Sequence, residues 1–251
     1  MGGSTRLVGV GVGPGDPELV TVKAVRRMCA ADVVLVPVLA LDEPGRAEAT
    51  VREHVPEETI ERVVFALNDR GGRSERRTRA WDEAARTVVR HFEQGARSVA
   101  FATIGDPNIY STFSYLARTV REMAPDTEIE TVAGITAMQD LASRSGSVLV
   151  EGMEPLTLLP VTAGVERLRA ALATDATVVA YKFGRFAPDV VAALRESGRL
   201  DDAVYGARLG LDGEEIDPVA KLEDEALPYL STLVAPARRG ERGGKLSASE
   251  E

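Results

Sequence analysis

Apolar runs alternate with amphipathic stretches along most of the chain. Residues 6–12, "RLVGVGV", make an apolar run of strand length. Residues 17–31, "PELVTVKAVRRMCAA", then space Leu19, Val22, Val25 and Met28 along one helical face. The order repeats. "DVVLVPVLA" and "RVVFAL" read as strands, and "SERRTRAWDEAARTVVRHFEQG" as a long helix that Gly95 ends. "RSVAFATIG" reads as a strand, "YSTFSYLARTVREMA" as a helix, "EIETVAG" as a strand and "TAMQDLASRSG" as a helix. This strand–helix alternation predicts a mostly parallel sheet with helices on its faces.

The rhythm changes near residues 146–160, where "GSVLVEGMEPLTLLPVTAG" mixes glycines and prolines with two short apolar runs and reads as a connection into a second sheet. Beyond it, "GVERLRAALATD" and "APDVVAALRESG" read as helices, and "ATVVAYKFG", "DAVYGARLG" and "PYLSTLVAPAR" as strands. The expected fold class is α/β, with two α/β domains, residues 1–145 and 146–237, each a mostly parallel sheet flanked by helices. Residues 238–251, "RRGERGGKLSASEE", have no apolar periodicity and are expected to form a disordered tail.

Composition narrows the partners. A chain of 251 residues, 44% apolar and 27% charged, is long enough for a real core and ordinary for a soluble globular protein. The net charge of -9 argues against a nucleic-acid partner, because phosphate binding needs a basic face. Cys29 is the single cysteine, so no disulfide framework can form, which fits a reducing cytoplasm. The two histidines, His54 and His91, lack ligand spacing, and no protein-held metal is expected. The most apolar window, residues 33–41, is too short to span a membrane and contains Pro37. The first residues lack the apolar core of a signal peptide. The expectation is a cytoplasmic protein without a membrane partner.

Candidate chemistry gathers in two turns. "GVGVGPGDPEL" and "ATIGDPNIYSTF" each place Gly-Asp-Pro after a strand and before a helix. A glycine knot after a first strand suggests a phosphate cradle, but Gly9, Gly11, Gly13 and Gly15 alternate, so no glycine falls three places after a Gly-x-Gly pair. Pro14 has no N–H to donate, and Asp16 sets a negative charge where an anion would lie. Asp16 reads better as a cap for the next helix, with Pro17 at its first position and Glu18 beside the positive dipole end. Ligands of open parallel sheets bind outside the carboxyl ends of the strands, and glycines there let them approach the backbone. Carboxylates and carbonyls at that edge suit a cationic or zwitterionic ligand better than a dinucleotide. Either turn alone reads equally well as a helix start; the two together point to a site.

"GVGVGPGDPELVTVKAVRRMCAADVVLVP", "TIGDPNIYSTFSYL" and "VAGITAMQDLASRSG" resemble three motifs of the tetrapyrrole methylases, which use S-adenosylmethionine. "EGMEPLTLLP", "VVAYKFGRF" and "YLSTLVAPAR" extend the likeness almost to the tail, while Ala133 stands where the family usually has a proline. "GDPNIYSTFSYL" with "EGMEPLTLLP" looks most like the branch that methylates ring carbon 20 of a corrin precursor. The resemblance implies two α/β domains with S-adenosylmethionine held in the cleft between them, a tetrapyrrole substrate and a homodimer. It implies that Ile104, Gly105, Asp106 and Ile109 line the methionine side of the methyl donor and that Thr136 and Ala137 lie near its adenosine. Phe183 and Leu209 would complete that pocket, and Gly13, Pro14, Gly15 and Asp16 would lie at the substrate trough.

Methylation of a ring carbon leaves a proton to be removed. Asp16, Tyr110, Glu151 and Glu154 are candidates, each with a plainer reading as cap, packing residue or solvated loop position. Local arginines would meet the substrate's carboxylates, since long-range repulsion is screened beyond about 8 Å. Arg70, Arg73, Arg76, Arg77 and Arg79 can each clamp a carboxylate through two parallel hydrogen bonds, with Lys182 as a further candidate, and each also reads as a solvated cation. Trp81 and Phe92 read as helix core. Several readings stay open: the same chemistry on a cobalt-loaded macrocycle, another branch of the family, and a S-adenosylmethionine-binding scaffold without catalysis. A dinucleotide oxidoreductase is disfavoured by the glycine spacing.

Overall fold

Val33, Val34, Leu35, Val36 and Val38 are all buried, and their run is strand β2 (Val33–Val38), covered on both faces as an interior parallel strand must be. The structure, a computed structural model, describes residues 4–66, 74–222 and 226–240. β1 (Arg6–Gly11), β3 (Ile60–Val64), β4 (Ser98–Thr103) and β5 (Glu128–Val132) join β2 in the order β3-β2-β4-β1-β5, with every pairing parallel. Helices α3 (Glu75–Glu93) and α4 (Phe113–Met123) cover one face, where Val88, Leu116 and Val120 meet Leu7, Leu35 and Phe101. Helices α1 (Val22–Cys29) and α2 (Arg46–Arg52) cover the other, where Met28 and Val51 meet Val8, Val10, Val34 and Val36.

Two local features differ from the reading of the pattern. The helix expected over residues 17–31 is a 3-10 turn, Pro17–Leu19, followed by α1. Thr21 starts α1 by accepting a hydrogen bond from the Ala24 amide at 3.1 Å, which resets the helical phase. Ala24 and Met28 are therefore the buried positions, and Val22 is 67% exposed. Helix α2 was not foreseen. Its buried residues are Ala47, Glu48, Thr50 and Val51, too small and too polar to print an apolar stripe.

The second unit holds α5 (Ala137–Ser145), β6 (Leu156–Pro160), α6 (Glu166–Leu172), β7 (Thr177–Tyr181), α7 (Ala187–Glu196), β8 (Val204–Ala207), β9 (Glu215–Pro218) and β10 (Ser231–Ala235). The strand order is β6-β7-β10-β8-β9, and only β6 and β7 pair in parallel. The α/β class holds, but this sheet is mixed, not mostly parallel as expected. The seven residues 208–214 between β8 and β9 are too few for a crossover helix, so β9 returns antiparallel. β10 then enters between β7 and β8 running against both.

α6 and α7 cover one face through Leu168, Val190 and Leu194, and α5 covers the other, where Leu141 meets Val179 and Val234. That packing puts α5 in the second unit, so the chain divides into Met1–Thr136 and Ala137–Glu251, earlier than the boundary expected after residue 145. The expected tail is also tied down at its start: Arg238 donates to the Ser197 and Gly198 carbonyls, and Arg239 pairs with Glu154. Residues 241–251 lie outside the described residues. No described helix is long and apolar enough to cross a membrane.

Candidate functional site

β1, β4 and β5 lie side by side and end at the same edge. There the Gly105 amide donates to the Gly13 carbonyl at 2.7 Å, so the two Gly-Asp-Pro turns are bonded to each other. Both glycines are left-handed, with φ of 77° and 69°. The third motif closes on them. A Cβ on Gly134 would lie 2.1 Å from the Gly105 oxygen and 2.8 Å from the Gly11 backbone. A Cβ on Gly105, by contrast, would meet nothing within 4 Å. One side of the junction is closed backbone on backbone, and the other is open for a ligand to lie against the chain.

Asp106 holds this junction together. It is 9% exposed. Oδ1 accepts from the Asn108 amide at 2.8 Å, and Oδ2 accepts from the Gly134 amide at 3.0 Å, across 28 residues. Exposed Ala133 precedes Gly134, whose amide makes this bond. Ser111 Oγ meets Thr103 Oγ1 at 3.0 Å and accepts from the Phe113 amide, which starts α4. Ile104 and Ile109 are half-buried beside the turn. Tyr110 is left-handed at φ 50° and 45% exposed, and burial of its ring pushes the phenol's pKa up. A raised pKa keeps the hydroxyl protonated at neutral pH, so Tyr110 suits a donor better than the expected proton acceptor.

Asp16 caps the 3-10 turn, accepting from the Glu18 amide at 2.8 Å. The cap was expected, but the helix it serves is this single turn, since Thr21 starts α1. The Gly15 and Asp16 amides donate to no described residue. Two groups from α2 and its end, which the pattern missed, brace the turn. Buried Thr50 donates its hydroxyl to the Gly15 carbonyl at 3.0 Å, and His54 Nε2 lies 3.0 Å from the Pro17 carbonyl. Glu48, also buried, takes Arg52 at 2.7 Å, Arg62 at 2.8 Å and the Gly45 amide at 3.1 Å. Burial alone would raise its pKa, but the bonds from Arg62, Arg52 and Gly45 outweigh that and lower it to about 2.

In the second unit, Phe183 is fully buried and Leu209 is 5% exposed, both inside core clusters. Their side chains pack the unit, so a ligand at those positions would meet backbone. Lys182 and Arg208, directly after β7 and β8, are left-handed at φ 62° and 53°. Their amides donate to the Ser231 and Leu230 carbonyls, and Lys182 Nζ sits 5.5 Å from the centre of the Tyr229 ring. Thr136 is buried, and Ala137 opens α5.

The expected proton acceptor Glu154 has another task. Its side chain is fully buried and receives Arg239 Nε at 2.9 Å and the Glu151 amide at 3.0 Å. Glu151 sits 3.6 Å from the same guanidinium. This latch joins the segment before β6 to the segment after β10, and it engages both Glu154 oxygens.

Arg70 and Arg73 lie outside the described residues. Arg76 and Arg79 are exposed on α3; Arg77 is half-buried, and its amide donates to Ser74 Oγ at the start of the helix. Trp81 stacks on Tyr115, ring centres 4.4 Å apart and planes 10° from parallel, and Trp81 and Phe92 each pack at the rim of the core. Among the described residues no three His, Cys, Asp or Glu side chains group as metal ligands.

The junction offers carbonyls, one amide-held carboxylate and an open backbone face, and in the first turn Pro14 lacks an N–H while Asp16 adds a negative charge where an anion would lie. It suits a ligand with positive charge. A family model, tetrapyrrole (corrin/porphyrin) methylases, matches residues 6–224. The precorrin-2 C(20)-methyltransferase of Sinorhizobium sp is 34% identical over 240 residues, covering 93% of this chain and 96% of the relative. The cobalt-precorrin-2 C(20)-methyltransferase of Salmonella typhimurium is 29% identical over 235 residues, covering 91% and 95%. The solved uroporphyrin-III C-methyl transferase of Thermus thermophilus, complexed with S-adenyl homocysteine, shares the fold at a TM-score of 0.61 and 20% identity, covering 92% and 97%. Motifs, fold and relatives agree: the chain belongs to the tetrapyrrole methylases.

Proposed function

We propose that the chain is a S-adenosylmethionine-dependent C-methyltransferase that methylates precorrin-2 at C(20), giving precorrin-3A in cobalamin biosynthesis. The observation that carries the reading is the bonded pair of Gly-Asp-Pro turns, open at Gly105, in a chain 34% identical along 93% of its length to a C(20)-methyltransferase. A cytoplasmic homodimer completes it. The dimer draws support from Val148, Val150, Met153 and Leu156, which are 39–67% exposed on the segment leading into β6 and on that edge strand.

S-adenosylmethionine supplies a methyl group already activated on a positively charged sulfur. Gly105 and Asp106 are assigned to its methionine side, with Ile104 and Ile109 beside them, and Thr136 and Ala137 to its adenosine. The substrate trough is assigned to Gly13, Pro14, Gly15 and Asp16, with Arg77 and Arg73 meeting carboxylates. The chain's main task is then alignment. Orientation of reactants is worth on the order of 7–11 kcal/mol of barrier. A single acid or base contributes about 10²–10⁴ in rate, or roughly 3–5 kcal/mol. The rigid junction fits that division. Asp16, partly exposed and on the turn itself, is the proton acceptor this reading favours; Tyr110 is protonated at neutral pH and Glu154 is engaged by Arg239.

Calorimetry with S-adenosylhomocysteine tests the donor site, and mass analysis after incubation with precorrin-2 and S-adenosylmethionine tests the reaction. One added methyl is expected. The Salmonella relative's name favours a second reading, the cobalt-loaded macrocycle as substrate. Parallel incubations with the metal-free and cobalt forms separate the two.

A further inference from the structure

We propose that α2 is a positioning element for the reaction, acting through Thr50 and His54 on the first Gly-Asp-Pro turn. Their two bonds, to the Gly15 and Pro17 carbonyls, bracket Asp16 on both sides. Because the peptide unit is planar and trans, its C=O and N–H point opposite ways. The Thr50 bond therefore turns the Asp16 N–H away from α2, and no described residue accepts it. The Asp16 carboxylate already takes the Glu18 amide, so the turn's own residues set its curvature while α2 sets its tilt.

The geometry points to more than packing. Ala47 and Val51 already seat α2 in the core against β2 and β4. A valine at position 50 would keep the shape of threonine and lose the hydroxyl, whose bond among the described residues is the one to the Gly15 carbonyl. Thr50 lies on α2 and His54 two residues past its end, four positions apart, and both reach the turn. The helix is itself tied to β3 through Glu48 and Arg62, which resists its sliding along the sheet. Thr50 is 35 residues from the carbonyl it holds.

This inference rests on the proposed methyl transfer, with residues 13–16 at the substrate. The test compares wild type with Thr50→Val, Thr50→Ser and His54→Ala, reading S-adenosylhomocysteine affinity by calorimetry and kcat and KM for the macrocycle by product mass. Small displacements of a reacting group cost about 10²-fold in rate. For Thr50→Val we expect kcat to fall about 10–100-fold with ligand affinity kept within about twofold, and Thr50→Ser to recover most of the rate. Equal kcat in Thr50→Val and wild type, or Thr50→Ser as slow as Thr50→Val, overturns the assignment. If Thr50→Val does not fold, His54→Ala carries the test: a kcat loss of about 3–10-fold with affinity unchanged supports it, and an unchanged kcat sinks it. A wild-type chain that binds no S-adenosylhomocysteine overturns the functional reading itself, and this assignment with it.

Discussion

The strand ends of the two units are built in opposite ways. In the first unit, β1, β4 and β5 run into glycines, and the backbones of Gly11, Gly105 and Gly134 close on one another with no side chain between them. In the second, β7 and β8 are followed directly by Lys182 and Arg208, which take the same left-handed backbone while carrying long side chains. A left-handed residue with a Cβ costs about 1–2 kcal/mol, and the amide bonds to Ser231 and Leu230 offset part of that. A ligand that must lie against backbone needs an edge cleared of side chains, which is what the first unit has. At the second unit's edge, two charged side chains, Lys182 and Arg208, stand where the first unit has glycines.

The ionic anchors differ in the same sense. Glu48 ties α2, which braces the first Gly-Asp-Pro turn, whereas Glu154, just before β6, ties down Arg239, just after β10. One supports the turn assigned to the proposed substrate trough; the other closes a fold.

The contrast breaks first at Gly134. Gly134→Ala drives a Cβ into the Gly105 carbonyl oxygen, and we expect a loss of more than about 3 kcal/mol in urea unfolding, or no folded protein at all. A variant as stable as wild type would mean the junction is not closed as described.

Glu48→Gln leaves two guanidinium groups facing a neutral amide and should cost about 2–3 kcal/mol. The Glu48 pKa is depressed in the fold to about 2 against 4.5, so its contribution is complete above about pH 4.5 and is lost as pH falls towards 2. Thermal melts of wild type and Glu48→Gln at stepped pH should converge across that window, and parallel curves would refute the assignment.

Glu154→Gln should lose about 1–2 kcal/mol of stability while each folded molecule keeps its rate of methyl transfer. A turnover that fell a hundredfold in a folded variant would instead make Glu154 the proton acceptor. The smallest effect has the opposite sign: Lys182→Gly relieves a left-handed residue and should stabilise by about 0.5 kcal/mol, read as a small rise in Tm.

Much of the fold was legible in the pattern, because each legible feature belongs to residues close in sequence. β2 announced itself as an unbroken apolar run, and α3 by its stripe ending at Gly95. The turns were legible through Pro14, Asp16 and the alternating glycines, whose properties need no distant partner. Three features were not. α2 packs small residues and one glutamate, so its burial is invisible until β2 and β3 lie beneath it. β9 and β10 reverse direction because of a short link and a late insertion, neither of which alters local periodicity. Glu154 looks like a solvated loop residue until Arg239, 85 positions later, buries its charge.

The residues alone determined that this chain alternates strands and helices, that its glycines lack the spacing of a dinucleotide-binding turn, and that two Gly-Asp-Pro turns stand before helices. Those conclusions follow from a missing Cβ, a missing N–H and the period of a helix, which every residue carries with it. Only the tertiary structure decided that the two turns bond to each other, that Asp106 reaches the Gly134 amide, and that Thr50 and His54 hold the turn from below. Each of these is a hydrogen bond between groups far apart in the chain. Such a bond exists only once the burial of apolar strands and helices has brought its donor and acceptor within reach and removed the water that would otherwise satisfy them.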